Sequence, residues 1–239
     1  MALITPTDSH SIFTLLSLAF GLGIMHALDA DHVMVISNLI GQRPGIRQSV
    51  KYCSRWALGH GAALLIVGFF VFILGRAIPV ELSAYAEHAV GVVLIVLGVW
   101  VFWDLHRKNA HLHFHQHDDL PHHAHWHQHN HHHSKQPHSA DTHKHHHSAI
   151  MIGVLHGTAG SAPLLALIPL TQIASPWLGI AYLAIFAMGV LLCMLLFGGL
   201  LSSAVGWLRR FGNKVLTAFR IAVASGSVAF GLHMMLGSH

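Results

Sequence analysis

Four ionisable side chains fall within residues 26–32, His-Ala-Leu-Asp-Ala-Asp-His: His26, Asp29, Asp31 and His32. Imidazole and carboxylate ligands together suit divalent ions such as Ni²⁺, Co²⁺, Zn²⁺ and Cu²⁺. Oxygen-only sites suit Mg²⁺ and Ca²⁺, and thiolates suit Cu(I). The residue types therefore predict a site for a divalent transition metal. Cys53 lies in a basic segment and Cys193 in an apolar run, so we expect no disulfide between them. No CxxC motif occurs, so we expect no thiolate metal site.

The spacing within this motif leaves two geometries open. On a regular helix His26, Asp29 and His32 share an arc of about 120°, whereas Asp31 lies about 140° from His26. Either Asp31 binds something else, or the helix is broken here and the backbone brings Asp31 round. Gly21 and Gly23 lie close enough to allow such a break.

Two further histidines lie in apolar surroundings. His60 sits among small residues at 59–63, which would let its helix approach the first one closely. His156 is flanked by glycines and followed by two prolines, which predicts an interrupted helix whose histidine lines a path or gate. For each residue the alternative is a structural hydrogen bond to a neighbouring helix.

The elements that must position these residues are membrane spans. Of the 239 residues, 53% are hydrophobic and 9% are charged, whereas soluble domains are about one quarter charged. This composition excludes an ordinary cytosolic enzyme and a nucleic-acid-binding domain. A bilayer-spanning helix needs about 20 apolar residues. Six runs qualify, at 11–41, 56–75, 86–105, 148–171, 177–200 and 215–236.

We therefore expect an all-α integral membrane protein with about six transmembrane helices. The first run is long enough to be one span, or a span plus a re-entrant or broken piece. An ionisable group at membrane depth costs at least about 2.5 kcal/mol and is usually functional. The alternative is that the first span ends near Leu28 and the motif is wetted at the interface. The apolar run at 33–40 argues against it.

The charge distribution predicts an orientation. Eleven of the 13 Lys and Arg residues fall in alternate connections between the runs. By the positive-inside rule, both termini then face outward and the 106–147 connection faces the cytoplasm. Arg220 lies inside the last run, near its cytoplasmic end, where we expect it to snorkel. We expect a multi-pass protein of the bacterial inner membrane.

The chain divides into two halves, 1–105 and 148–239, around a connection at 106–147. A Gly-x-x-His sequence begins at Gly23 and again at Gly153, 130 residues later. Each lies in the first span of a three-span half, so the halves would form an inverted repeat. Chance similarity between glycine-rich spans is the alternative.

The 106–147 connection holds 18 of the 26 histidines and no apolar run, so we expect it to be disordered. Its imidazoles would provide several weak, exchangeable metal sites without one fixed geometry. These candidate ligands are His111, His113, His115, His117, His122, His123, His125, His127, His129, His131, His132, His133, His138, His143, His145, His146 and His147.

The motif at 26–32 resembles the signature of the nickel/cobalt transporter family, whose core is His-x4-Asp-His. His26, Asp31 and His32 match that core, Asp29 matches an additional acid, and residues 58–60 resemble the family's Gly-His motif. The chain departs at Met25, where the family usually has Arg. With six spans it resembles the shorter, urease-accessory-type nickel permeases. The resemblance implies transport of Ni²⁺ or Co²⁺ with His26, Asp31 and His32 as essential ligands.

The expected function is transport of a divalent metal, with no enzyme activity and no prosthetic group. No Walker A motif occurs, so no ATP is used directly. An inside-negative potential favours inward movement of a 2+ ion by about 4.6 kcal/mol per 100 mV, which favours uptake. Expected partners are the metal ion, the bilayer and a cytoplasmic nickel chaperone or metalloenzyme maturation factor. Alternatives are an intramembrane metal-dependent hydrolase and a membrane-anchored metal buffer or sensor.

Overall fold

The structure, a computed structural model, describes residues 9–42, 45–75, 80–109, 113–115, 123–125, 140–159 and 175–237. Its helices are α1 Ser9–Ala27, α2 Ala30–Gln42, α3 Ile46–Phe72, α4 Val80–Asn109, α5 Ala140–Thr158, α6 Pro176–Leu208 and α7 Asn213–Leu236. A 3₁₀ turn, Arg209–Phe211, joins α6 to α7. Two short strands, β1 His113–His115 and β2 His123–His125, pair antiparallel within the histidine-rich connection.

The helices are those of a membrane protein. Five stretches are long and apolar enough to cross a bilayer: His10–Ala27, Ile46–Phe72, Ala84–Arg107, Pro176–Phe211 and Asn213–Leu236. A sixth apolar helix, Ala149–Thr158, is shorter. The rest of the predicted fourth span, at 160–171, lies outside the described residues. The expectation of an all-α integral membrane architecture is confirmed.

The first apolar run is broken at the motif itself. Helix α1 ends at Ala27 and α2 begins at Ala30. The intervening backbone tightens, with the Leu28 amide donating to the Met25 carbonyl at 3.1 Å and the Asp29 amide to the His26 carbonyl at 3.0 Å. Gly21 and Gly23 stay inside α1, so the break does not occur at the glycines. The straight-helix geometry for residues 26–32 is therefore wrong.

Glycines permit two close helix crossings, one between α1 and α6 and the other between α5 and α3. A Cβ atom on Gly23 of α1 would overlap the carbonyl oxygen of Phe186 in α6. A Cβ atom on Gly153 of α5 would likewise overlap the carbonyl oxygen of Trp56 in α3. Gly153 and Phe186 lie 130 residues after Gly23 and Trp56 respectively. The same contact thus occurs twice, with the spacing of the two Gly-x-x-His sequences.

Alanine at Gly23 is expected to lower the free energy of unfolding by about 1–3 kcal/mol, because the added methyl group pushes α1 away from the α6 backbone. Gly21, on the same helix, is the matched control, since a Cβ atom there meets nothing within 4 Å. Gly21→Ala should be neutral or slightly stabilising, because alanine favours helix more than glycine does. Thermal unfolding of the two purified variants measures the difference, and equal midpoints would contradict the crossing.

Helices α4 and α7 pack antiparallel along their length. The Ser227 hydroxyl donates to the Leu94 carbonyl at 3.0 Å, and nearer the α4 C-terminus the Arg220 guanidinium lies 2.7 Å from Asp104. The Arg220 side chain is only 10% exposed. The expectation that Arg220 snorkels into water is thus wrong, because Asp104 neutralises its charge within the helix pair.

One face of the helix bundle collects the basic residues. Helices α3 and α6 run antiparallel, since Cys53 packs on Gly198 and Leu183 packs on Gly68. The start of α3 therefore lies beside the end of α6, and the α4 end lies beside the α7 start. We call this side the basic face; besides the Arg220–Asp104 pair, it includes Arg47, Lys51, Arg55, Arg107, Arg209, Arg210 and Lys214.

Candidate metal centre

The break between α1 and α2 brings two histidines of the motif face to face. His26 lies in the last turn of α1 and His32 in the first turn of α2. Their ring centroids are 4.7 Å apart, edge to face. Both residues are at most 3% exposed. The tight turn at Leu28 and Asp29 thus brings the two imidazoles together in one buried place.

A third imidazole comes from α3. The His60 ring lies 5.4 Å from the His26 ring and 5.3 Å from the His32 ring, and the residue is fully buried. One ring nitrogen from each of these three residues lies within 4.8 Å of the other two. Among the described residues they form a group able to hold one metal ion.

His156 of α5 lies beside this group. We call the four residues His26, His32, His60 and His156 the histidine cluster. The His156 ring centroid is 5.5 Å from that of His32, and the residue is 2% exposed. Gly153 and Gly157 allow this approach, since a Cβ atom on either would press against the α3 backbone. Gly153 and Gly157 therefore let α5 pack closely against α3.

Trp56 forms one wall of the cluster, and sequence reasoning missed it. Its indole stacks on the His60 ring at 5.2 Å and meets the rings of His32 and His156 edge-on at 4.8 and 5.6 Å. Trp56 precedes His60 by four residues, so the two share a helix face. That spacing was the available signal.

The hydrogen bonds of the cluster leave several buried ring nitrogens without a partner. Nδ1 of His26 donates to Asp29 at 2.7 Å, Nδ1 of His32 to the His26 carbonyl at 3.0 Å, and Nδ1 of His156 to the Ile152 carbonyl at 2.9 Å. With Nδ1 protonated, Nε2 of each ring carries the lone pair. None of these Nε2 atoms has a hydrogen-bond partner among the described residues, nor does either ring nitrogen of His60.

Buried polar atoms without partners are rare in folded proteins and call for an explanation. Histidines that bind metals usually donate their other ring N–H to a carboxylate or a backbone carbonyl, which fixes the tautomer and the ring orientation. His26, His32 and His156 have that arrangement. The chemistry of this donor set is therefore that of a divalent transition-metal site.

The two acids of the motif stand at the edge of the cluster with different neighbours. Asp29 accepts the His26 N–H and is 37% exposed. A carboxylate oxygen of Asp31 lies 3.8 Å from the unpartnered Nε2 of His32, and the Asp31 side chain is 18% exposed. Asp29 therefore orients an imidazole, whereas Asp31 lies next to a nitrogen that can bind a metal. On a straight helix Asp31 would lie about 140° from His26. The break instead places its carboxylate beside His32.

A cavity of about 430 Å³ reaches the cluster. Its polar lining comes from His26, Asp29, Asp31, His32, Glu87 and His156. Glu87 of α4, at the start of the apolar run 86–105, is a residue that the sequence analysis did not identify. The side chains of the 17 histidines predicted as weak ligands in the 106–147 connection lie outside what the structure describes.

Comparisons with known proteins agree with this chemistry. The model of the family described as "NicO: High-affinity nickel-transport protein" matches residues 12–237. The chain is 28% identical over 230 residues to the urease accessory protein UreH of Bacillus sp. (strain TB-90), which covers 95% of this chain and 93% of that protein.

A shorter match joins it to the high-affinity nickel transport protein of Cupriavidus necator, at 30% identity over 91 residues, or 36% of this chain and 24% of that protein. No solved structure matches the chain significantly. The family model covers almost the whole chain, and its members are permeases rather than enzymes. This multi-pass membrane protein therefore belongs to the family of high-affinity nickel-transport proteins and transports a divalent metal ion, with nickel the favoured substrate.

Proposed function

We propose that the protein takes up Ni²⁺ and that the histidine cluster, together with Asp31, is the site through which the ion passes. The observation that carries the proposal is the set of buried imidazole nitrogens without hydrogen-bond partners, gathered at a break in a membrane helix. Interrupted helices near the bilayer midplane hold the substrates of many secondary transporters. A partly dehydrated cation can exchange water for imidazole nitrogen there.

Asp29 acts in this proposal as a positioning residue. Its hydrogen bond with His26 keeps Nδ1 protonated and Nε2 free for the ion. Asp31 supplies a negative charge beside the His32 nitrogen, which offsets part of the 2+ charge inside the membrane. His156 and Trp56 close the sides of the site.

Ni²⁺ rather than Co²⁺ is proposed because one relative is named as a nickel transport protein and the other as a urease accessory protein. Imidazole ligands bind both ions, so their chemistry alone does not separate the two. Uptake follows from the inside-negative potential of a bacterial inner membrane. In that membrane the basic face would lie in the cytoplasm, by the positive-inside rule.

The 106–147 connection would then collect incoming nickel in the cytoplasm. Helix α4 ends and leads into this connection at the basic face, which supports that placement. Neutral imidazoles at many weak sites would hold the ion for a nickel chaperone or a metalloenzyme maturation factor. We further propose that 1–105 and 148–239 are two related halves, since their glycine crossings repeat at 130 residues.

Accumulation of radioactive nickel in cells lacking their own nickel uptake tests the proposal. Expression of the full chain should raise cellular nickel, and collapsing the membrane potential should remove most of the gain. Excess Ni²⁺ should suppress the signal more strongly than equal Co²⁺. Lower cellular nickel on expression would show export instead, and stronger suppression by Co²⁺ would reverse the assigned preference.

A further inference from the structure

We propose that the cavity beside the histidine cluster is the entrance for the hydrated cation, that it opens on the side opposite the basic face, and that Glu87 recruits the ion there. This inference rests on the proposed function, because it names how the ion reaches the same site. Glu87 has so far had no role. It lies on α4, outside the motif that carries the other acids.

Three carboxylates on different elements surround the cavity. Asp29 lies in the break, Asp31 at the start of α2 and Glu87 on α4. Among the described residues that line the cavity there is neither lysine nor arginine. Negative charges in a cleft with apolar walls concentrate cations and raise their rate of arrival. The carboxylates can accept hydrogen bonds from the water molecules of a hydrated 2+ ion.

The floor of the cavity shows what the ion would meet next. His26, His32 and His156 all line it, and each is at least nine-tenths buried with an unpartnered Nε2 atom. The exposed fraction falls from 37% at Asp29 and 18% at Asp31 to 3% or less at these histidines, so the carboxylate oxygens lie nearer the solvent than the ring nitrogens. This order suits an ion that arrives with its water shell and then loses part of it.

The position of the cavity along the helices gives its direction. Glu87 lies near the start of α4, and Phe230 and Met234 lie near the end of α7. Because α4 and α7 are antiparallel, these parts lie together at the end remote from the basic face. His60 does not line the cavity. Trp56 lies one turn of α3 closer to the basic face than His60, on the side of the cluster that faces away from the cavity.

Glu87 itself has no evident structural role. It is half-buried, and no hydrogen bond or ion pair joins it to another residue in the described part of the chain. Its neighbour His88, by contrast, bonds the Ala84 carbonyl at 2.7 Å. A carboxylate held partly out of water without a protein partner is well placed to serve a mobile cation.

Nickel uptake by Glu87→Gln measures the recruitment. The half-saturating nickel concentration should rise about three- to tenfold at low ionic strength, with the maximal rate retained. The difference should shrink near 0.15 M salt, where the Debye length is about 8 Å. Glu87→Asp should restore most of the affinity, because it keeps the charge. His88→Gln, at a position that does not line the cavity, is the matched control.

An unchanged half-saturating concentration in Glu87→Gln would overturn the role of Glu87. So would a lower maximal rate with normal affinity, which would indicate a structural effect. Either result would leave the proposed site intact, because that site is tested separately by the histidine variants in the Discussion. Normal transport by those variants would remove the site and the inference with it.

Access is tested with Glu87→Cys in a chain whose two native cysteines are replaced by alanine. A membrane-impermeant cationic thiol reagent should label this cysteine in intact spheroplasts, and Ni²⁺ should slow the labelling. Inverted membrane vesicles should show little labelling. Labelling from the inverted side alone, or from neither side, would overturn the direction assigned to the cavity.

Discussion

Alanine at His32 or His60 is expected to lower nickel uptake roughly 100-fold or more while the protein still inserts into the membrane. Each change removes an imidazole that has an unpartnered nitrogen and a ring nitrogen within 4.8 Å of those of the other two ligand histidines. Losing a group that only orients a metal ligand already costs about 10- to 100-fold, so losing a ligand should cost at least the upper end. Initial rates of radioactive nickel uptake, normalised to the protein in the membrane fraction, measure the effect.

His233→Ala is the control for this experiment. His233 lies in the last turn of α7 and is exposed, and it is no member of the histidine cluster. Its variant should transport at close to the normal rate. Near-normal transport by both His32→Ala and His60→Ala would show that the ion does not pass through the cluster.

The second large effect is expected at the two acids, and it should be unequal. Asp31→Asn removes a charge that lies 3.8 Å from the His32 ligand nitrogen, so transport should fall roughly 100-fold. Asp29→Asn keeps an amide oxygen that can still accept the His26 N–H, so the loss should be about tenfold. The comparison of initial uptake rates for the two amides decides which acid serves the ion.

The reverse order, with Asp29→Asn much the weaker transporter, would contradict the geometry at the break. It would mean that Asp29 binds the ion directly and that Asp31 is turned away from it, as on an unbroken helix. Asp29→Ala separates orientation from charge further. It removes the acceptor altogether and should transport more slowly than Asp29→Asn.

Much of the site follows from residue types and spacing. The apolar runs predict the helices, and an acid pair flanked by histidines in an apolar run predicts a metal site. His60 and His156 were both identified by their small neighbours, which permit close helix approach. The helix predictions succeed because hydrophobic burial and backbone hydrogen bonding leave few arrangements for a chain within a bilayer, whereas the metal site stays a prediction.

Other features depend on contacts between distant parts of the chain. The break at Leu28 could be suspected from the angle of Asp31, but the packing of α2 against α4, α6 and α7 could not be read from the sequence. Glu87 looks like an ordinary residue at a span end until α4 is placed beside the motif. Arg220 likewise looks solvated until Asp104, 116 residues away, is brought against it.

The coordination of bound nickel tests the central claim most directly. X-ray absorption at the nickel edge would be recorded on protein whose residues 111–147 are replaced by a Gly/Ser linker and which is loaded with one nickel. The structure predicts at least three imidazole ligands, and one fewer in the same protein carrying His60→Ala. A shell made entirely of oxygen, or an imidazole count unchanged by both His32→Ala and His60→Ala, would contradict the account.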